Sequence, residues 1–157
     1  MVIQRWQSVY LLVAALLIGF YAFMPIVGFS VDGNSFELSL LGVDSLSAVG
    51  NTENSILPEV PAVLTWPLFA LAVLTSLLSL VTIFKFKQMK LQKSLCRVCI
   101  ILTIALIASL LIMVSGWVNV RYYFSNCMPI LAIIAYVMAL RGIINDYKKI
   151  SDSDRLR

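Results

Sequence analysis

Four apolar runs, at residues 9–27, 66–84, 95–114 and 127–140, leave this chain few ways to fold. A helix of about 20 apolar residues crosses the roughly 30 Å hydrocarbon layer of a bilayer. The first three runs have that length. The fourth, 127–140, is only fourteen residues long, which on its own fits a helix that does not cross. Tyr122, Tyr123 and Phe124 extend it into one interface, and Arg141 can snorkel to the other with Ile143 and Ile144 still among acyl chains. Composition agrees: 61% of the 157 residues are hydrophobic, 13% are charged, and mean hydropathy is +0.94. A water-soluble core of this size needs far less apolar material.

The charges orient the spans. If the runs cross alternately, eleven of the twelve Lys and Arg fall on one side and Arg121 alone on the other. Basic residues resist translocation, so the populated side is the cytoplasm and both ends of the chain lie there. Were the fourth run not to cross, Arg141, Lys148, Lys149, Arg155 and Arg157 would be stranded outside. The connection between the second and third runs holds Lys85, Lys87, Lys90, Lys93 and Arg97 and no acid. The long connection after the first run holds Asp32, Glu37, Asp44, Glu53 and Glu59 and no base. The net charge of +4 does not mark a nucleic-acid binder, because the bases are spread over flanks rather than gathered in a folded patch. They suit anionic headgroups, at roughly 1 kcal/mol each near the surface.

These readings predict one membrane domain over 1–157, with spans at 8–28, 65–84, 95–115 and 122–144. They leave an outer loop at 28–61, a basic inner loop at 85–94 and a cytoplasmic tail at 145–157. Arg5 before the first span resembles a signal peptide's basic start, but Phe20, Tyr21, Phe23 and Met24 offer no small-x-small cleavage site, so the segment reads as an uncleaved anchor. Thr65 is placed as the N-cap of the second helix, with Pro67 in its first turn. Trp117 is placed at headgroup level. In the outer loop, two alternating segments around Asp32-Gly33 give a β-hairpin signal, and the stretch from Ser45 to Pro61 reads as irregular. Leu140, Ile143, Ile144, Tyr147 and Ile150 recur at helical spacing, with Asp146, Lys148 and Lys149 facing elsewhere, so the fourth helix should run out along the interface before Ser151. The end beyond it reads as solvated.

Chemical candidates are few, and each has a structural explanation. Cys96 and Cys99 form a Cys-x-x-Cys pair on one helix face, as a redox pair or half a metal site would. No His exists to complete a metal site, Cys127 lies at the opposite membrane face, and a reducing cytoplasm disfavours a stable disulfide. Quinone-coupled thiol oxidases need such pairs on the oxidising side. Thr75, Ser79 and Thr82, with Ser76 adjacent, could line a polar path, but they read better as packing and backbone-bonding residues. Ala15-x3-Gly19, Ala105-x3-Ser109 and Ala135-x3-Ala139 offer matching small surfaces. Transport usually leaves an ionisable group inside a span, and none lies between the four sets of flanking charges. Arg121 could receive an anion, but beside Tyr122 and Tyr123 it reads as an interfacial anchor. No internal repeat marks an inverted-repeat transporter.

Several blocks together resemble a known family. They are the opening Ile3-Gln-Arg-Trp-Gln-Ser-Val-Tyr-Leu-Leu, Trp66-Pro-Leu-Phe, Leu77-Leu-Ser-Leu-Val-Thr-Ile-Phe, Leu91-Gln-Lys-Ser-Leu-Cys and the ending Asp154-Arg-Leu-Arg. The chain resembles, from Ile3 to Arg157, an uncharacterised four-helix integral membrane protein family of Bacteroidota, a domain of unknown function. The resemblance implies a bacterial inner membrane, four helices and no assigned activity, and it carries over no site residues.

The expected fold is therefore an all-α membrane protein, a four-transmembrane-helix bundle with N and C termini cytoplasmic and a small β-hairpin in the first outer loop. The expected function is that of a non-enzymatic accessory or scaffold subunit of the bacterial inner membrane. The alternative is a membrane thiol oxidoreductase or small-solute carrier. No catalytic, cofactor-binding or metal-binding residue is assigned, and no cofactor. The expected partners are the lipid bilayer and another envelope protein, with no nucleic acid; the sequence does not fix the oligomeric state.

Overall fold

The computed structural model describes residues 3–31, 34–45, 62–85, 88–115 and 120–155. Its elements, in chain order, are α1 (Ile3–Phe23), β1 (Pro25–Val31), β2 (Asn34–Ser39), β3 (Gly42–Ser45), α2 (Ala62–Phe84), α3 (Met89–Val114), β4 (Val120–Tyr122), a 3-10 turn (Phe124–Asn126) and α4 (Cys127–Arg155).

All four helices are long and apolar enough to cross a membrane. They run up, down, up, down, and the principal contacts close a ring from α1 to α2 to α3 to α4 and back to α1. This is the up-down order of a four-helix bundle, here with a long connection, 24–61, between α1 and α2. Leu11, Ala14, Ile18, Leu106, Ala132 and Ala139 are fully buried along its axis. The outer surface is apolar as well: Leu16 is 52% exposed, Leu77 55%, Ile101 63% and Ile134 55%. So much contiguous apolar surface has no place in water and fits acyl chains. Exposed aromatics mark both ends of the bundle, Trp6 and Phe84 at the end of the two termini and Trp66, Phe23 and Phe124 at the other. Trp rings concentrate at such levels because an apolar body carries a polar N–H, and the Phe rings add apolar cover beside them.

The end opposite the termini carries a four-stranded antiparallel sheet in the order β3-β2-β1-β4. The hairpin expected around Asp32-Gly33 forms, with Val31 paired to Asn34 and Phe29 to Phe36; residues 32 and 33 themselves lie outside the described set. The sheet extends further on both sides. β3 pairs Glu37 with Asp44, and β4, from the connection between α3 and α4, pairs Val120 with Phe29 and Arg121 with Gly28. Alternation sets its faces: Val27, Phe29, Phe36 and Leu38 are buried, while Gly28 and Glu37 fall on the opposite face. The Phe29 and Phe36 rings stack across the strands at 5.6 Å, a cross-strand pair of the kind that stabilises sheets.

Several expected boundaries move, each for a local reason. The first helix stops at Phe23 rather than 28, because Pro25 disfavours helical geometry before it and the residues that follow enter β1. The second helix begins at Ala62, so Thr65 is a buried residue within the helix and not its N-cap, and Pro67 lies past the first turn. The basic stretch 85–94 is not all loop: α3 starts at Met89 and takes Lys90 and Lys93 into its first turns. Tyr122 belongs to a strand and Phe124 to a 3-10 turn, so α4 begins only at Cys127. That helix continues to Arg155, where an interfacial helix ending before Ser151 and a solvated tail were expected. Trp117, the stretch 46–61 and residues 156–157 lie outside the described residues.

Candidate functional site

Three places in the fold gather polar groups. The first is the junction between bundle and sheet. The turn after β4 returns to the start of β1, where the Tyr123 amide donates to the Ile26 carbonyl at 3.1 Å. Ser125 Oγ donates to the Pro25 carbonyl, and Asn126 Nδ2 to the Ile26 carbonyl at 2.8 Å. These bonds satisfy carbonyls at the start of β1, just past the end of α1, where the chain changes from helix to strand. The Tyr123 ring then lies over Gly28, whose missing Cβ would sit 3.2 Å from the ring, and its hydroxyl donates to Glu37 Oε1. That hydrogen bond is the main reason the Tyr123 phenol is held above its ordinary pKa; burial and the Glu37 charge push the same way, and Arg121 pushes back. Arg121 is exposed on β4 opposite Gly28, with β1 between it and Glu37. Beneath the sheet, Tyr21, Leu110, Tyr122, Asn126, Pro129 and Ile130 line a largely apolar cavity of about 200 Å³.

The second place is the seam inside the bundle. Thr75, Ser79 and Thr82 are all fully buried, as the packing reading of their stripe requires. Ser79 Oγ donates to the Leu11 carbonyl at 3.0 Å and Ser76 Oγ to the Ala15 carbonyl at 3.1 Å, which stitches α2 to α1. Thr75 and Thr82 bond back to Leu71 and Leu78 within their own helix. Cys96 and Cys99 are fully buried free thiols, and Cys96 Sγ donates to the Tyr136 carbonyl at 3.4 Å. Cys99 lies against Thr82, and the Tyr136 hydroxyl lies beside Ser79 without a well-formed hydrogen bond. Cys127 is exposed at the far end, as its position at the start of α4 dictates. Of the small surfaces, Ala15, Ala135 and Ala139 pack inward, but Ala105 faces outward. Among the described residues, no three His, Cys, Asp or Glu are grouped to hold a metal ion.

The third place is the end that carries both termini. Gln7 Nε2 donates to Asp146 Oδ2 between α1 and α4, and both residues are buried. Gly142 makes room for this pair, since a Cβ there would come within 2.9 Å of Gln7 Cγ. Asp146 was expected to face outward with Lys148; it turns inward instead, because a buried carboxylate needs a donor and Gln7 supplies one. Tyr147, expected on the apolar stripe, is 40% exposed. On the neighbouring side of α4, Lys90, Lys93, Ser94 and Arg97 of α3 and Tyr147 of α4 line a cleft of about 260 Å³. Neither the Gln7–Asp146 pair nor the Tyr123–Glu37 pair was singled out from the sequence. Asp146 did carry a signal, as the one acid among Arg141, Lys148 and Lys149.

An apolar-surfaced bundle with aromatic belts and a polar cap at one end defines a multi-pass membrane protein. The chain matches the family described as Domain of unknown function (DUF4293) over residues 3–156 and belongs to it. A comparison with curated proteins finds no match.

Proposed function

We propose that this chain is a non-enzymatic accessory or scaffold subunit of the bacterial inner membrane. It sits with both termini in the cytoplasm and works through its two polar ends rather than through its interior. The observation that carries this reading is where the reactive groups lie. Cys96 and Cys99 are fully buried on the bundle axis, with one thiol bonded to a backbone carbonyl, which is how cysteines behave when they pack. By contrast, segments about a hundred residues apart in sequence are joined into a four-stranded sheet at the opposite end, and a rigid sheet is a suitable platform for a partner in the envelope. The orientation is supported by the crowding of Lys and Arg on the other end.

The test combines purification with complementation. Extraction of the full chain from its native membrane in mild detergent should bring a stoichiometric protein companion through size exclusion. Substituting Cys96→Ser and Cys99→Ser together should fully rescue a deletion strain. A chain that emerges with lipid alone would contradict the subunit reading, and loss of rescue at normal protein level would favour thiol chemistry instead.

A further inference from the structure

The cleft between α3 and α4 concentrates charge in a way that dispersed flanking bases do not. Lys90, Lys93 and Arg97 lie at positions i, i+3 and i+7 of α3, with Ser94 between them, so the three cations and the hydroxyl share one helix face. Tyr147 closes the far wall from α4 and places a phenol opposite them. The neighbouring acid does not offset them: Asp146 is committed to Gln7 on the α1 side. Among the described residues, no carboxylate lines the cleft. The cations also occupy the first turns of a 26-residue helix, whose N-terminal dipole favours negative charge. The volume of about 260 Å³ lies just below the roughly 300 Å³ at which drug-sized sites begin, and suits a headgroup-sized anion.

We propose that this cleft is a binding site for a phosphate group, the moiety shared by acidic phospholipid headgroups and soluble phosphate esters. Lys90, Lys93 and Arg97 supply charge-assisted hydrogen bonds, which are the stronger class, and the Ser94 and Tyr147 hydroxyls supply neutral ones. The Arg97 guanidinium offers a planar fork matched to two phosphate oxygens. The cleft lies at the end of two membrane-crossing helices, within reach of headgroups on that face. This inference does not depend on the subunit reading.

The test uses the purified full chain in neutral detergent, with two probes. Phosphatidylglycerol doped into the micelles, against phosphatidylcholine as reference, reads the headgroup source. Glycerol phosphate, against chloride at equal ionic strength, reads the soluble source. At least one probe should raise the thermal midpoint in a saturable way, and whichever does so identifies the source. Lys90→Gln and Arg97→Gln should each weaken that binding about tenfold or more. Lys85→Gln, an exposed cation outside the cleft, should leave it unchanged. Both cleft positions are exposed, so substitution there spares the core; far-ultraviolet circular dichroism checks the helices, and if one variant misfolds the other decides. No saturable response to either probe would overturn the proposal, as would equal weakening by Lys85→Gln, which marks diffuse attraction only.

Discussion

Gly28 shows how a single residue sets the join between sheet and bundle. Tyr123 can lie over β1 and reach Glu37 only because nothing projects from Gly28. Gly28→Val should therefore destabilise the chain by about 1–3 kcal/mol, the usual cost of overpacking a filled site, measured by thermal unfolding in detergent. The Tyr123 phenol has its pKa raised in the folded state, first by the Glu37 hydrogen bond. A raised value means that its contribution is fully present below the ordinary tyrosine range near pH 10 and is lost as pH rises through the higher folded value. The tyrosinate absorbance difference between the native chain and Tyr123→Phe should thus titrate above pH 10 and move down in Glu37→Gln. At the other end, Gln7→Leu removes the only hydrogen-bond donor seen on Asp146 among the described residues, and should cost about 1–3 kcal/mol because a buried acceptor is left unsatisfied. Adding Asp146→Leu should recover part of that loss; a strictly additive double mutant would contradict the pairing.

Elements in this chain hold to one another by two kinds of contact, and the sequence shows one of them far better than the other. The seam between α1 and α2 joins Ser76 and Ser79 to carbonyls of the facing helix, whereas Thr75 and Thr82 bond within α2. Ser76→Ala and Ser79→Ala should each cost about 0.6 kcal/mol, typical of hydrogen bonds between membrane helices, while Thr75→Val and Thr82→Val should cost less than half as much. Equal costs in a steric-trap or thermal assay would contradict this division. The four helices and the packed hydroxyl stripe were legible in the sequence because apolar run length and helical spacing are local signals. The hairpin was legible too, from alternation around a turn. The outer strands of the sheet were not: β4 has three residues and pairs with a strand about ninety positions earlier, and nothing in Val120-Arg-Tyr says so locally. The same limit hid the Gln7–Asp146 pair, whose partners stand 139 residues apart. Helix ends also shifted where tertiary pairing competed, since Tyr122 had an open strand edge at β1 to join instead of extending α4.

The whole molecule is organised by its surroundings. Apolar side chains cover the outside of the bundle and most of its axis, where the polar groups include the hydroxyls of the α1–α2 seam, and charged and sheet structure lies at the two ends. The ends differ in kind. One carries the sheet, with Glu37 and Arg121 on neighbouring cross-strand positions of Gly28. The other carries the Gln7–Asp146 latch, the α2–α3 turn and the basic cleft. This polarity requires an even number of crossings, with both termini opposite the sheet. The most direct test places topology reporters, one in the connection at Asn51 and one after Arg157, in the full chain in living bacteria. The account predicts opposite sides, Asn51 outside and Arg157 in the cytoplasm; finding both on the same side would contradict it.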